Sequence, residues 1–139
     1  MSIQIAAITS RKLQVEAFVP AYQAQPGYQI EASLDNSWRE LEGDQARISF
    51  LQKATVRARA ADGNLYFEAI SELEVLCTFT AEHAAQAEQF ATHHLAEIAF
   101  PYTRQKVGSV VSQAGYPMAP LPALGNATFK PALRLVEGA

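Results

Sequence analysis

The alternation of apolar and polar residues changes period part-way along the chain. Leu13, Val15, Ala17 and Val19 alternate with Lys12, Gln14 and Glu16, the two-residue period of a half-buried strand. Pro20 to Gly27 holds two prolines and a glycine, which mark a connection. A second strand follows with Tyr28, Ile30, Ala32 and Leu34 on one side. Asp35, Asn36 and Ser37 are expected to end it, ahead of a polar loop through Gly43 and Asp44.

The clearest local signal is ATVRARAADGNLYFEAISELEVLCTF. Before the turn, Ala54, Val56, Ala58 and Ala60 form an apolar row beside the polar row Lys53, Thr55, Arg57 and Arg59. After it, Leu65, Phe67, Ala69, Leu73, Val75, Cys77 and Phe79 carry the apolar face. Asp62-Gly63 predicts a type I′ turn, which needs positive φ at both central positions. In the resulting register each cross-strand pair of numbers sums to 125, so Ala58 faces Phe67, Arg57 faces Glu68 and Lys53 faces Glu72.

After Thr80, a plausible N-cap, the period becomes helical: Ala84, Ala87, Phe90, Ala91, His94, Leu95 and Ile98. Pro101 biases Phe100 away from helical backbone, so a kink or restart is expected there. The stripe resumes at Val107, Val110, Val111 and Ala114, and Gly115 is a suitable C′ residue with Pro117 just beyond. Strands first and helices afterwards predict an α+β fold, residues 1–139 as one domain. Its four-stranded antiparallel sheet would carry a Pro-kinked helix on one face, followed by an extended Pro-rich C-terminal segment. The other face of the sheet would be polar and at least partly solvated.

Composition narrows function mainly by exclusion. With 18% charged residues and a net charge of -3, nothing marks a nucleic-acid footprint or global disorder. No apolar run approaches a membrane span, and no basic segment precedes the first apolar residues as a signal peptide would require. Cys77 is the single cysteine, which fits a reducing cytoplasm. It falls on the apolar row, where a lone thiol behaves as a small hydrophobe.

No catalytic constellation emerges. His83 and His94 lie on one helix roughly 16 Å apart and cannot share a metal. His93 and Glu97 could supply two ligands, but no third accompanies them. Gly-rich phosphate loops and a nucleophile elbow are absent. No enzyme, cofactor or metal is expected. What remains is apolar surface: Tyr116, Met118, Leu121, Leu124, Phe129, Leu133 and Leu135 exceed what two helices need. Prolines at 117, 120 and 122 hold their segment extended, as one wall of a groove.

FPYTRQKVGSVVSQAGYPMAPLPAL resembles the SecB family of protein-export chaperones. In that family a helix begins F-P-Y-x-R, continues to V-S-x-x-G-[FY/T]-P and enters a Leu/Pro-rich loop. Phe100, Pro101, Tyr102, Arg104, Val111, Ser112, Gly115, Pro117 and Leu121 fall on that pattern. KLQVEAF resembles the family's D-[IL]-S-F-E-A-P, with Leu13, Glu16 and Ala17 in place.

The resemblance implies a cytoplasmic holdase without ATPase activity or cofactor, assembled as a dimer of dimers. It would bind unfolded or precursor polypeptides for export and translocation. Its client groove would be bordered by Tyr102, Tyr116, Met118, Leu121 and Leu124. The SecA motor would dock on acidic positions of the sheet's outer face, of which Glu16 and Glu68 match and Lys12 replaces an aspartate. The family's Asn-Phe pair is separated here into Asn126 and Phe129, and Pro131 should shorten the terminal helix. Two other readings stand beside export: a chaperone dedicated to an antitoxin or another specific client, and a structural or small-ligand-binding domain.

Overall fold

The computed structural model describes residues 4–41, 46–79, 84–117 and 132–135. The expectations for Gly43 and Asp44, Thr80 and His83, and for Met118, Leu121, Leu124, Pro120, Pro122, Asn126, Phe129 and Pro131 fall outside them. In chain order the elements are β1 (Gln4–Ala17), a 3-10 turn (Ala21–Gln23), β2 (Gln29–Leu41), β3 (Ala46–Arg59), β4 (Leu65–Phe79), α1 (Ala84–His93), α2 (Leu95–Gln113) and β5 (Ala132–Leu135). The sheet order is β1-β4-β3-β2-β5. The first four strands pair antiparallel, and β5 runs parallel to β2 opposite Asp35–Trp38. The four-stranded antiparallel sheet with a helix on one face is as the alternation predicts. The terminal segment differs from the expected short helix, since Ala132–Leu135 is a strand.

The register of β3 and β4 follows the sum of 125: Lys53 pairs with Glu72, Arg57 with Glu68 and Ala58 with Phe67. The turn that closes it is not type I′. Within this turn only Gly63 has positive φ, at 89°, and among the described residues no non-glycine residue does. Gly63 N donates to Ala60 O, and Ala60 N donates to Asn64 O. That is a three-residue loop ending in a left-handed glycine. The loop alone would shift the sum by one, and Arg59 does pair with Leu65. Tyr66 then bulges out of the ladder and restores the original register at Phe67.

Two more bulges, at Ala6 and Arg11, explain why β1 starts earlier than its alternation suggests. Ile5, Ile8, Ser10, Leu13, Val15 and Ala17 all pair with inner-face residues of β4, in steps of three and two. A strict period of two recognises only the last part of such a strand. β2 likewise runs through Asp35–Ser37 instead of ending there, because Asn36 faces the core with a partner.

On the inner face the buried residues form two apolar clusters. One gathers Val56, Phe67, Phe100, Val107, Val111 and Tyr116; the other gathers Trp38, Ile48, Phe50, Val75 and Leu95. A polar belt lies in the same interior. Gln52 Nε2 donates to Asn36 Oδ1 at 2.8 Å and to the Ala96 carbonyl at 3.3 Å. Thr103 Oγ1 donates to Gln52 Oε1 at 2.6 Å. Gln52 and Thr103 are fully buried and Asn36 nearly so. Burial of these groups is tolerable because they satisfy one another.

The helical region breaks at His94, not at Phe100-Pro101. His94 has φ −123° and separates α1 from α2, while Pro101 sits inside α2. Ladder bonds continue on both sides, from His94 N to Phe90 O and from Ile98 N to His94 O. Pro101 costs the Glu97 carbonyl its donor, and Glu97 is exposed, so water can replace it. α2 ends as expected: Gly115 takes φ 87° and its N–H donates to Ser112 O.

Candidate functional site

α2 packs against β4, β3 and β1, and α1 against α2 and β3. The central strands are therefore covered, while the inner rows of the flanking strands are covered less. Ile5 and Leu13 of β1 keep 40% and 38% exposure, and Ile30 of β2 keeps 38%, although all three pair with buried inner-face residues. Two apolar shoulders thus flank α2, one on β1 and one at the start of β2. Tyr102 projects from α2 with 45% of its surface exposed.

Tyr116 lies elsewhere. It is buried in the first apolar cluster, with its ring 4.7 Å from Phe67 and edge-on to Tyr28. Its hydroxyl donates to the Val19 carbonyl. Burial, reinforced by Tyr28 and Tyr66, pushes the phenol above its ordinary value. The ring closes the core where α2 turns at Gly115, whose absent Cβ would stand 3.4 Å from Ala21 Cβ. Phe100 is also core, whereas Tyr102 is available to solvent.

The outer face is a charge ladder. Lys12 pairs with Glu72, Glu72 with Lys53, and Lys53 with Asp35, so signs alternate across four strands. The structure brings Glu16 and Glu68 together as direct cross-strand neighbours. Glu68 is also held by Arg57 at 2.6 Å. Lys12, where the resembled family carries an aspartate, stands opposite Glu72 and offsets a further acid.

Cys77 is buried, and its thiol is pushed up to about 11 by burial, so it is a poor nucleophile at neutral pH. His93 and His94 are exposed. Among the described residues no group of three metal-ligating side chains occurs, and no helix is long and apolar enough to cross a membrane.

No protein-family model and no curated protein matches the sequence. Solved structures do match the fold. A SecB-like chaperone of Mycobacterium tuberculosis, Rv1957, solved in complex with a ChAD peptide from the HigA1 antitoxin, superposes with a TM-score of 0.73 at 16% identity, over 90% of this chain and 92% of that one. This chain has a SecB-like fold. A Streptococcus agalactiae protein of unknown function matches with a TM-score of 0.50 at 11% identity, over 88% and 98% of the two chains.

Within the SecB-like fold, the polar belt and the outer-face pairing of Glu16 with Glu68 were not both equally visible in the sequence. The acids were visible because they fall on outward positions. The belt had a signal too: Gln52 and Asn36 interrupt otherwise apolar rows, Ile48-Phe50-Ala54 and Leu34-Trp38, at inward positions. Thr103 had none, being one more hydroxyl on a helix.

Proposed function

We propose that this chain is an ATP-independent holdase that binds non-native polypeptide along the apolar shoulders beside α2, working as a homo-oligomer. The observation that carries the reading is inner-face apolar surface left open on both sides of the helix: Ile5 and Leu13 on one side, Ile30 on the other, Tyr102 between. Surface of this kind holds an extended chain without demanding one sequence. The SecB-like fold supports it, as does the antitoxin peptide bound to the M. tuberculosis relative in fold. That peptide also favours a dedicated client over general export as the narrower reading. Delivery to SecA through Glu16 and Glu68 has less support, because Arg57 and Lys12 offset the acidic face. Met118, Leu121 and Leu124 would extend the client groove beyond α2.

Aggregation of a chemically unfolded client, followed by light scattering without nucleotide, tests the proposal. Suppression by the wild-type protein is expected, with a loss in Leu13→Ser/Ile30→Ser and in Met118→Ser/Leu121→Ser at unchanged melting temperature. Absence of suppression by the wild type, or full suppression by folded variants, would refute it. A protein that sediments as a monomer at micromolar concentration would remove the oligomer from the reading.

A further inference from the structure

A cavity of about 230 Å³ opens between the β3–β4 hairpin and the crossover that leads into β2, with Gln25, Pro26, Tyr28, Ala61, Asp62 and Tyr66 in its walls. Asp62 is the single charged residue of the lining. Its carboxylate accepts from Asn64 N and Asn64 Nδ2, each at 3.0 Å, and both donors are neutral. No cation pairs with it among the described residues. Arg59, the basic residue beside the turn, is engaged by Glu31 at 3.1 Å and by the Gly63 carbonyl at 3.3 Å. The two tyrosines form a corner, with ring centroids 5.8 Å apart and planes at 72°. That corner is braced. Gln25 N donates to the Tyr66 hydroxyl at 3.2 Å, and Tyr116 stands edge-on to Tyr28 at 6.0 Å. Two angled rings beside a carboxylate favour a positive guest, and a preformed corner holds it at little ordering cost. Walls of ring, proline and alanine offer few acceptors, so a guest rich in N–H donors would leave some unpaired. A cation sheathed in methyl groups brings its charge without that cost.

We propose that this cavity binds a methylated ammonium group, seated against Tyr28 and Tyr66 with its charge toward Asp62. The cavity is below the size that encloses a drug-sized ligand and suits a single head group. A small choline-like molecule and a methylated lysine side chain present the same group. The site sits at the hairpin tip and does not depend on the holdase reading.

The probe is choline chloride, titrated into the full chain and followed by amide NMR shifts at Gly27, Tyr28, Asp62 and Gly63. Controls are sodium chloride and 3,3-dimethyl-1-butanol, the neutral carbon isostere of choline. Choline should shift these amides saturably and bind roughly tenfold tighter than the isostere. Its methyl protons should show contacts to the ring protons of Tyr28 and Tyr66. Asp62→Asn keeps the acceptor for Asn64 N, and at unchanged melting temperature it should lower choline affinity to about that of the isostere. Ala61→Lys, at an exposed position of the lining, places a tethered ammonium there and should abolish binding. A Gly-Ser peptide carrying one trimethyl-lysine distinguishes the sources: tighter binding than choline assigns the site to a modified polypeptide, and weaker binding to a small molecule. Equal binding of choline and its isostere, the same shifts with sodium chloride, or an unchanged Kd in Asp62→Asn would each overturn the proposal. Suppression of client aggregation should persist in Asp62→Asn, so the two functions fail separately.

Discussion

Gln52 offers the sharpest test of how the interior is held. Replacing it with methionine keeps the length and shape of the side chain while removing three hydrogen bonds. The Ala96 carbonyl belongs to α2 and keeps its place in the helix ladder, so its loss is small. Thr103 can turn its hydroxyl back to a carbonyl of its own helix. Asn36 has no such retreat: it is 1% exposed and its Oδ1 is left facing a thioether. A buried acceptor left unpaired costs about 1–3 kcal/mol, so Gln52→Met should destabilise by about 2–4 kcal/mol in total. That is a large share of a typical domain's 5–15 kcal/mol. Replacing all three members, Asn36→Leu/Gln52→Met/Thr103→Val, leaves nothing unpaired and should return to within about 1 kcal/mol of wild type. Urea unfolding at fixed protein concentration measures both. The reasoning fails if Gln52→Met costs less than about 0.5 kcal/mol, or if the triple variant is less stable than the single one.

Three further expectations follow from individual side chains. Tyr116→Phe keeps the ring and removes only the donor to Val19, so denaturant unfolding should show a loss of about 1–2 kcal/mol. Gly63→Ala meets nothing within 4 Å but must hold φ near 89°, so it should cost about 1–2 kcal/mol, and Gly63→Asn less. For Cys77 the folded thiol is raised from 9.0 to about 11, so its contribution is complete below pH 9 and is lost as pH climbs toward 11. The loss should total roughly 2–3 kcal/mol. Melting curves between pH 8 and 11 should show a shallower decline for Cys77→Val than for wild type.

The sheet was legible where side chains alternate strictly and obscure where the backbone departs from the ladder. Ala58, Phe67, Arg57 and Glu68 announced their register through two independent rows, apolar and charged. That register was correct although the turn was misassigned, because the loop ending at Gly63 and the bulge at Tyr66 offset one another. A sequence shows the net register but not two compensating irregularities. The bulges at Ala6 and Arg11 hid the first half of β1 for the same reason. Pro101 was a misleading signal, since the residue one turn earlier, Glu97, is exposed and water can replace the lost donor, and the break fell at His94. In the candidate site, Tyr102 and Tyr116 look alike as sequence. Only the packing against Phe67 and Tyr28 separates a core ring from an accessible one.

The position of Tyr102 depends on the polar belt more than on the apolar stripe beneath α2. Phe100, Thr103, Val107, Val110 and Val111 share the buried face, which leaves Tyr102 to the side. The apolar members of that face could sit nearly as well one turn, about 5.4 Å, further along the sheet, because apolar side chains lie to both sides of Gln52. Such a slip would strand Thr103, Gln52 and Asn36 against methyl groups, at about 1–3 kcal/mol for each unpaired group. The belt therefore fixes where the helix lies between its two shoulders, a specificity role rather than a source of net stability. It follows that the triple apolar variant, although as stable as wild type, should lose definition in α2. Amide exchange there should accelerate while exchange in β3 and β4 stays slow. Client suppression should weaken with it, because Tyr102 on α2 would no longer hold one position relative to the shoulders on β1 and β2. If exchange in α2 is unchanged in the triple variant, the stripe alone sets the helix register and the belt is incidental.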